Sequence, residues 1–270
     1  MKNQSFFQRI VTDYKILLRN IPSSTILFFV LSVVCANLMA NKELFNYKYL
    51  ALDCGFVFSW IMFLCLDIIC KRWGAKASVE ISIFALFVNF LVTFSFFLLS
   101  KTNGLWGESY NLSQEEALLV NHALNKTFGG SWFVVLGSAL AFLSSSVANA
   151  FFNFFVGKLI TKKVSENSFS NFALRSYIST FLAQFIDNLI FALIVSKTFF
   201  GWTWEQILFC SLLGATCELI CEICFSGIGY KILQNWEKEN VGNEYINFRK
   251  KYKNQNKVIF SDRNLFQHRW

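Results

Sequence analysis

Val79–Leu99 reads VEISIFALFVNFLVTFSFFLL, twenty-one residues with one charge, Glu80, near its start. A helix that crosses a bilayer needs ~20 mostly apolar residues. In lipid the backbone must satisfy its own hydrogen bonds, and a single run of this length does so only as a helix. Five further runs read the same way: Thr25–Ala40, Leu50–Cys70, Trp132–Val156, Leu174–Ser196 and Trp204–Leu233. The expected fold class is an all-α integral membrane protein, six transmembrane helices in one bundle.

Composition agrees. Of 270 residues, 54% are hydrophobic and only 16% charged. Soluble globular chains carry roughly 25% charged residues, so this chain lacks the polar surface to cover a water-facing globule. A single proline, Pro22, argues against a turn-rich β architecture. The net charge of +8 does not mark a nucleic-acid binder, because the basic residues sit between apolar runs rather than along one stripe. The eight cysteines lie in or beside those runs, where they read as small buried hydrophobes and not as a disulfide framework. Met1–Arg19 is polar and basic, unlike a cleavable signal peptide.

Basic residues set the orientation. Twenty of the 25 fall with the N-terminus, the second and fourth loops and the C-terminal segment; only Lys42, Lys48, Lys101, Lys126 and Lys197 fall on the other side. That bias puts both termini in the cytoplasm. Three parts follow: a basic amphipathic segment over 1–23, a membrane domain over 24–233 and a polar basic tail over 234–270. The loop between the third and fourth runs carries Ser113-Gln114-Glu115-Glu116, a capping box that predicts a short helix.

Polar groups inside the apolar runs point to function. An ionisable side chain at membrane depth costs ~3 kcal/mol or more, so it faces a cavity or a partner. Asp187 lies mid-way along the fifth run with Gln184 one turn before it. Glu218 and Glu222 share a face of the sixth, and Asn149 and Asn153 share a face of the fourth. Asn89 lies mid-way along the third and Asn37 near the outer end of the first. Asp67, four residues before Lys71, reads as half of a structural ion pair at the cytoplasmic edge. The asparagines and Gln184 read equally well as interhelical glue. The deep runs hold carboxylates and amides without Lys, Arg or His, which suits a cationic or donor-rich solute, a proton, or both. Cys217, Cys221 and Cys224 beside the glutamates form at most a weak soft-metal pattern, without histidine or CxxC. No phosphate-cradling glycine loop or Ser/His/Asp grouping is present. The sequence therefore implies no catalytic residue, no cofactor and no metal.

Two segments carry a family resemblance. Asp67-Ile-Ile-Cys-Lys71-Arg72-Trp73-Gly74 resembles an Asp, basic, aromatic, glycine ending. Ser179-Thr180-Phe-Leu-Ala-Gln184-Phe-Ile-Asp187-Asn-Leu-Ile-Phe191 resembles a Ser-Thr, amide, Asp, Phe signature. Both are features of the vitamin uptake transporter family, the queuosine precursor transporters, and the resemblance runs from about Asn37 to Leu233. The chain departs from the pattern twice. Ser146-Val-Ala-Asn149 stands where the family carries a Gln and an Asp. Glu218 stands where it carries a Lys, Glu222 matches its Glu, and no Pro follows.

The resemblance implies an importer in the cytoplasmic (inner) membrane for a 7-deazaguanine such as preQ0, preQ1 or queuine. Asp187 and Gln184 would bind the base, with Glu222, Glu218, Asn149, Asn153, Asn89 and Asn37 completing the cavity. Beyond this solute and the lipid bilayer, the partners left open are a coupling proton, a second copy in a homodimer, and an energy-coupling module. Two other readings stand beside it. One is the substrate-binding subunit of an energy-coupling factor vitamin transporter. The other is a membrane structural or interaction protein acting through its basic tail.

Overall fold

A computed structural model describes residues 6–160 and 169–251 of the chain. They form a helical bundle closed at one end by both terminal segments and at the other by a small β-hairpin. The ten helices are α1 Phe6–Asn20, α2 Ser23–Met39, α3 Phe56–Trp73, α4 Ala75–Leu99, α5 Gln114–Gly129, α6 Ser131–Ile160, α7 Phe169–Phe191, α8 Lys197–Phe200, α9 Trp204–Lys238 and α10 over residues 243–251. A π-helical turn, Ala192–Ser196, joins α7 to α8.

Four stretches are long and apolar enough to cross a membrane: Lys76–Leu99, Gln114–Ser145, Thr180–Phe200 and Trp204–Phe225. Counting α1 and α2, bent by 104° at their joint, as one broken span gives five. α2 is 17 residues long. α3 has 18 and contains Asp67, Lys71 and Arg72, so it is short and charged for a spanning helix. The bundle turns large apolar side chains outward: Phe87, Phe90, Phe94 and Leu98 of α4 are exposed, the surface that lipid would cover.

The run Leu50–Cys70, expected to be helical throughout, is not. Its first residues form the second strand of a hairpin, β1 Glu43–Asn46 and β2 Ala51–Asp53, paired antiparallel with a bulge between Glu43 and Phe45. The physical reason lies in the neighbour. The Ala51 N–H donates to the Cys210 sulfur at 2.9 Å, and the Gln206 amide donates to the Asn46 side-chain oxygen at 2.8 Å and the Tyr47 carbonyl at 2.9 Å. The Trp202 indole N–H donates to Glu43. The hairpin is thus bonded to the start of α9, which its own capping box begins: the Thr203 N–H donates to Gln206 at 2.9 Å. The predicted box at the start of α5 also forms, with the Ser113 N–H donating to Glu116 at 3.2 Å.

At the opposite end α1 lies across the bundle. Leu17, Ile21, Trp73, Ala77, Ile81 and Tyr245 pack into one buried cluster that joins α1, α3, α4 and α10. Asp13 pairs with Lys76 and Arg249. The Arg72 guanidinium donates to the Val241 carbonyl at 2.8 Å and to Asn243 at 2.9 Å. The first part of the polar segment after 234 therefore folds back onto the bundle. Its return depends on Gly242, at φ 74°, where a Cβ would fall 2.1 Å from the Trp73 ring nitrogen. Gly242→Ala should cost about 2 kcal/mol, the scale of a strained left-handed residue. It should also accelerate amide hydrogen exchange across 243–251, and unchanged exchange there would contradict this docking.

Candidate functional site

A cavity of about 100 Å³ lies among α2, α3, α7 and α9, beneath the hairpin. Three carboxylates reach it: Asp187 from α7, Glu218 from α9 and Asp53 from β2. Asn37, Asn188, Ser59 and Ser138 add neutral polar groups, and Phe56, Phe63, Phe191 and Trp202 add flat apolar faces. Among the described residues its lining has no Lys, Arg or His.

Each carboxylate is held by uncharged donors. The Ser145 hydroxyl donates to Asp187 Oδ1 at 2.8 Å, tying α6 to α7. The Asn188 amide donates to Glu218 Oε2 at 3.3 Å, tying α7 to α9. The Ser59 hydroxyl also bonds Glu218, bringing in α3. Glu218 is 3% exposed, so its carboxyl group meets protein rather than solvent. Asp53 caps the start of α3 and accepts from the Gly55 N–H at 2.8 Å. That turn is close: a Cβ on Gly55 would fall 2.5 Å from the Ala36 carbonyl and 2.9 Å from Asp53 Oδ1.

Of the residues singled out in the sequence, Asn37, Asp187 and Glu218 meet at this cavity. Asn37 is buried and donates to the Val33 carbonyl at 3.0 Å. Gln184 and Asn89 do not line it. Both are at most 2% exposed, and their amide groups have no hydrogen-bond partner among the described residues. The side chains of Asn149, Asn153, Glu222 and Asp67 lie outside the described residues, as therefore does the expected Asp67–Lys71 pair. Sequence reasoning missed Asn188 and Asp53. Asn188 is an amide next to Asp187, a signal that was available. Asp53 sits beside the turn residue Gly55, within a run whose apolar character hid the hairpin.

The arrangement can hold a flat solute against aromatic faces and receive its donor hydrogens. A carboxylate accepts two adjacent N–H groups in a bidentate pair. Amides supply both donors and acceptors.

Asp53 gives the site a pH signature. Burial raises its pKa to about 6; the Gly55 and Phe56 N–H groups oppose the rise and the Glu43 charge adds to it. A carboxyl raised on folding is most stabilising when protonated, and that contribution is lost as pH climbs from about 4 through about 6. Asp53→Asn removes the titration. The melting-temperature difference, mutant minus wild type, should grow from pH 4 to pH 7 and then level; a difference that is flat with pH contradicts the assignment.

Comparison with known proteins bears on what the cavity serves. No curated protein and no solved structure matches the chain. A protein family described as "Putative vitamin uptake transporter" matches residues 53–235, from Asp53 through α9 nearly to its end, and so takes in all three carboxylates of the cavity. A multi-pass helical chain with a polar cavity enclosed in an apolar bundle is what such a transporter requires. The chain belongs to this vitamin uptake transporter family.

Proposed function

We propose that the protein imports a 7-deazaguanine, a queuosine precursor or the free base queuine, across the cytoplasmic membrane. The observation that carries the reading is the cavity itself, where carboxylates and amides from α2, α7 and α9 meet with no cation among the described lining residues. In this reading six helices, α2, α3, α4, α6, α7 and α9, cross the membrane. Both termini face the cytoplasm and the hairpin faces outward, as the basic-residue bias supports.

Asp187 receives the adjacent N–H donors of the guanine-like edge. Asn188 and Asn37 meet its carbonyl and its remaining N–H. Phe56, Phe63, Phe191 and Trp202 offer stacking faces for the ring, and aromatic stacking on a base contributes ~1–3 kcal/mol. Glu218 accepts from an aminomethyl substituent where the solute has one. Glu222, Asn149 and Asn153 are proposed as further solute-binding groups from α9 and α6, as the sequence suggests, whereas Gln184 and Asn89 are buried in α7 and α4 without lining this cavity. The solute is moved unchanged, so no catalytic group is needed.

The test is complementation. The chain is expressed in a cell that can neither make nor import queuosine precursors, each precursor is fed separately, and tRNA modification is assayed. At least one precursor should restore modification. Asp187→Asn should lower it tenfold or more at equal membrane abundance, because the amide replaces an acceptor pair with one acceptor and one donor. Full modification with Asp187→Asn, or none with the native chain, would contradict the proposal.

A further inference from the structure

The cavity gathers more carboxyl groups than its bonds to neutral groups explain. Asp53, Asp187 and Glu218 line one cavity, and Asp53 and Asp187 both lie close enough to Glu218 for their charges to act on it. Their described partners, the Ser145 and Ser59 hydroxyls, the Asn188 amide and the Gly55 N–H, are all uncharged. Like charges gathered in a low-dielectric site repel strongly unless a proton or a cation joins them.

A second observation points to a guest. Ser196, the last residue of the π-helical turn, lines the same cavity. It is 0% exposed, and its hydroxyl has no hydrogen-bond partner among the described residues. A buried hydroxyl left unpaired costs free energy, and a solute in the cavity would give it one. π-helical turns recur at functional sites for this kind of reason: they displace one residue from the regular ladder.

Asp53 differs from the other two carboxylates in its mounting. It stands on the hairpin rather than within a long helix, and its side chain is fixed by capping α3. It therefore meets the hairpin end of the cavity, while Asp187 and Glu218 meet it from the helices.

We infer that Asp53 sets the charge selectivity of the cavity: together with Glu218, Asp53 makes an acidic wall that takes a protonated amine, so that solutes bearing an ammonium group are preferred to neutral ones of the same shape. An ammonium offers three donors and no acceptor, which suits a wall of acceptors and removes their mutual repulsion. The inference rests on the transport reading for taking this cavity as the binding site, and deepens it by naming the class of solute.

The test measures binding to the purified full-length protein in lipid nanodiscs with two matched pairs of probes. One pair is 7-aminomethyl-7-deazaguanine and 7-cyano-7-deazaguanine; the other is benzylamine and benzyl alcohol, which lack the base. The amine of each pair should bind at least tenfold tighter. Asp53→Asn, which keeps a capping oxygen for the Gly55 N–H, should reduce that ratio to threefold or less, and Asp53→Ser, also able to cap, should do the same. Glu108→Gln removes a carboxylate from the exposed 3-10 turn Gly107–Asn111, outside the cavity, and should leave the ratio as it was. If benzylamine shows the preference and neither deazaguanine binds, the assignment of Asp53 stands and the deazaguanine reading fails. If both deazaguanines bind without an amine preference, or if Asp53→Asn leaves the ratio intact, the assignment of Asp53 fails and the deazaguanine reading stands. No binding of any probe overturns both.

Discussion

A carboxylate enclosed by an apolar bundle has to find donors, and in this protein the donors are uncharged side chains on other helices. Ser145 reaches Asp187 from α6, Asn188 reaches Glu218 from α7, and Ser59 reaches Glu218 from α3. These bonds fix four helices around one small space. An ion pair would have consumed the charges. Neutral donors satisfy only part of each carboxyl group's bonding capacity, so the cavity keeps free acceptor oxygens for a cationic or donor-rich solute.

The two ends of the bundle serve that cavity differently. The end with both termini is fastened by several independent means: an apolar cluster around Trp73 and Tyr245, the Asp13 pairs with Lys76 and Arg249, and the Arg72 bonds to Val241 and Asn243. The hairpin end is fastened by its own cluster of Ala51, Ala192, Trp202, Ile207 and Cys210 and by side-chain bonds. Glu43 and Asn46 are bonded to Trp202 and Gln206, and Ala51 to Cys210.

Much of the fold was legible because bilayer physics writes itself into length and composition. Val79–Leu99 became α4 with its C-terminal boundary intact, and Ser113 with Glu116 announced the start of α5. The hairpin was not legible. Leu50–Ser59 is as apolar as a helix, and only bonds to α9, some 150 residues later, turn Ala51–Asp53 into a strand. The same limit governs the site. Spacing placed Asp187 and Gln184 near one face, but three residues at 100° each leave a 60° offset, and Gln184 ends buried away from the cavity. Asn188 was passed over because its partner Glu218 lies on another helix, and one-helix spacing rules do not see such pairs.

The central claim is that Asp53, Asp187 and Glu218 face one shared, solute-accessible space. Carbodiimide modification of the protein in membranes, mapped residue by residue by mass spectrometry with and without 7-aminomethyl-7-deazaguanine, tests it directly. The account predicts that all three carboxylates are protected together by the solute while Glu108 and Glu205, exposed elsewhere, react as before. Protection of none of the three, or of one without the others, would contradict it.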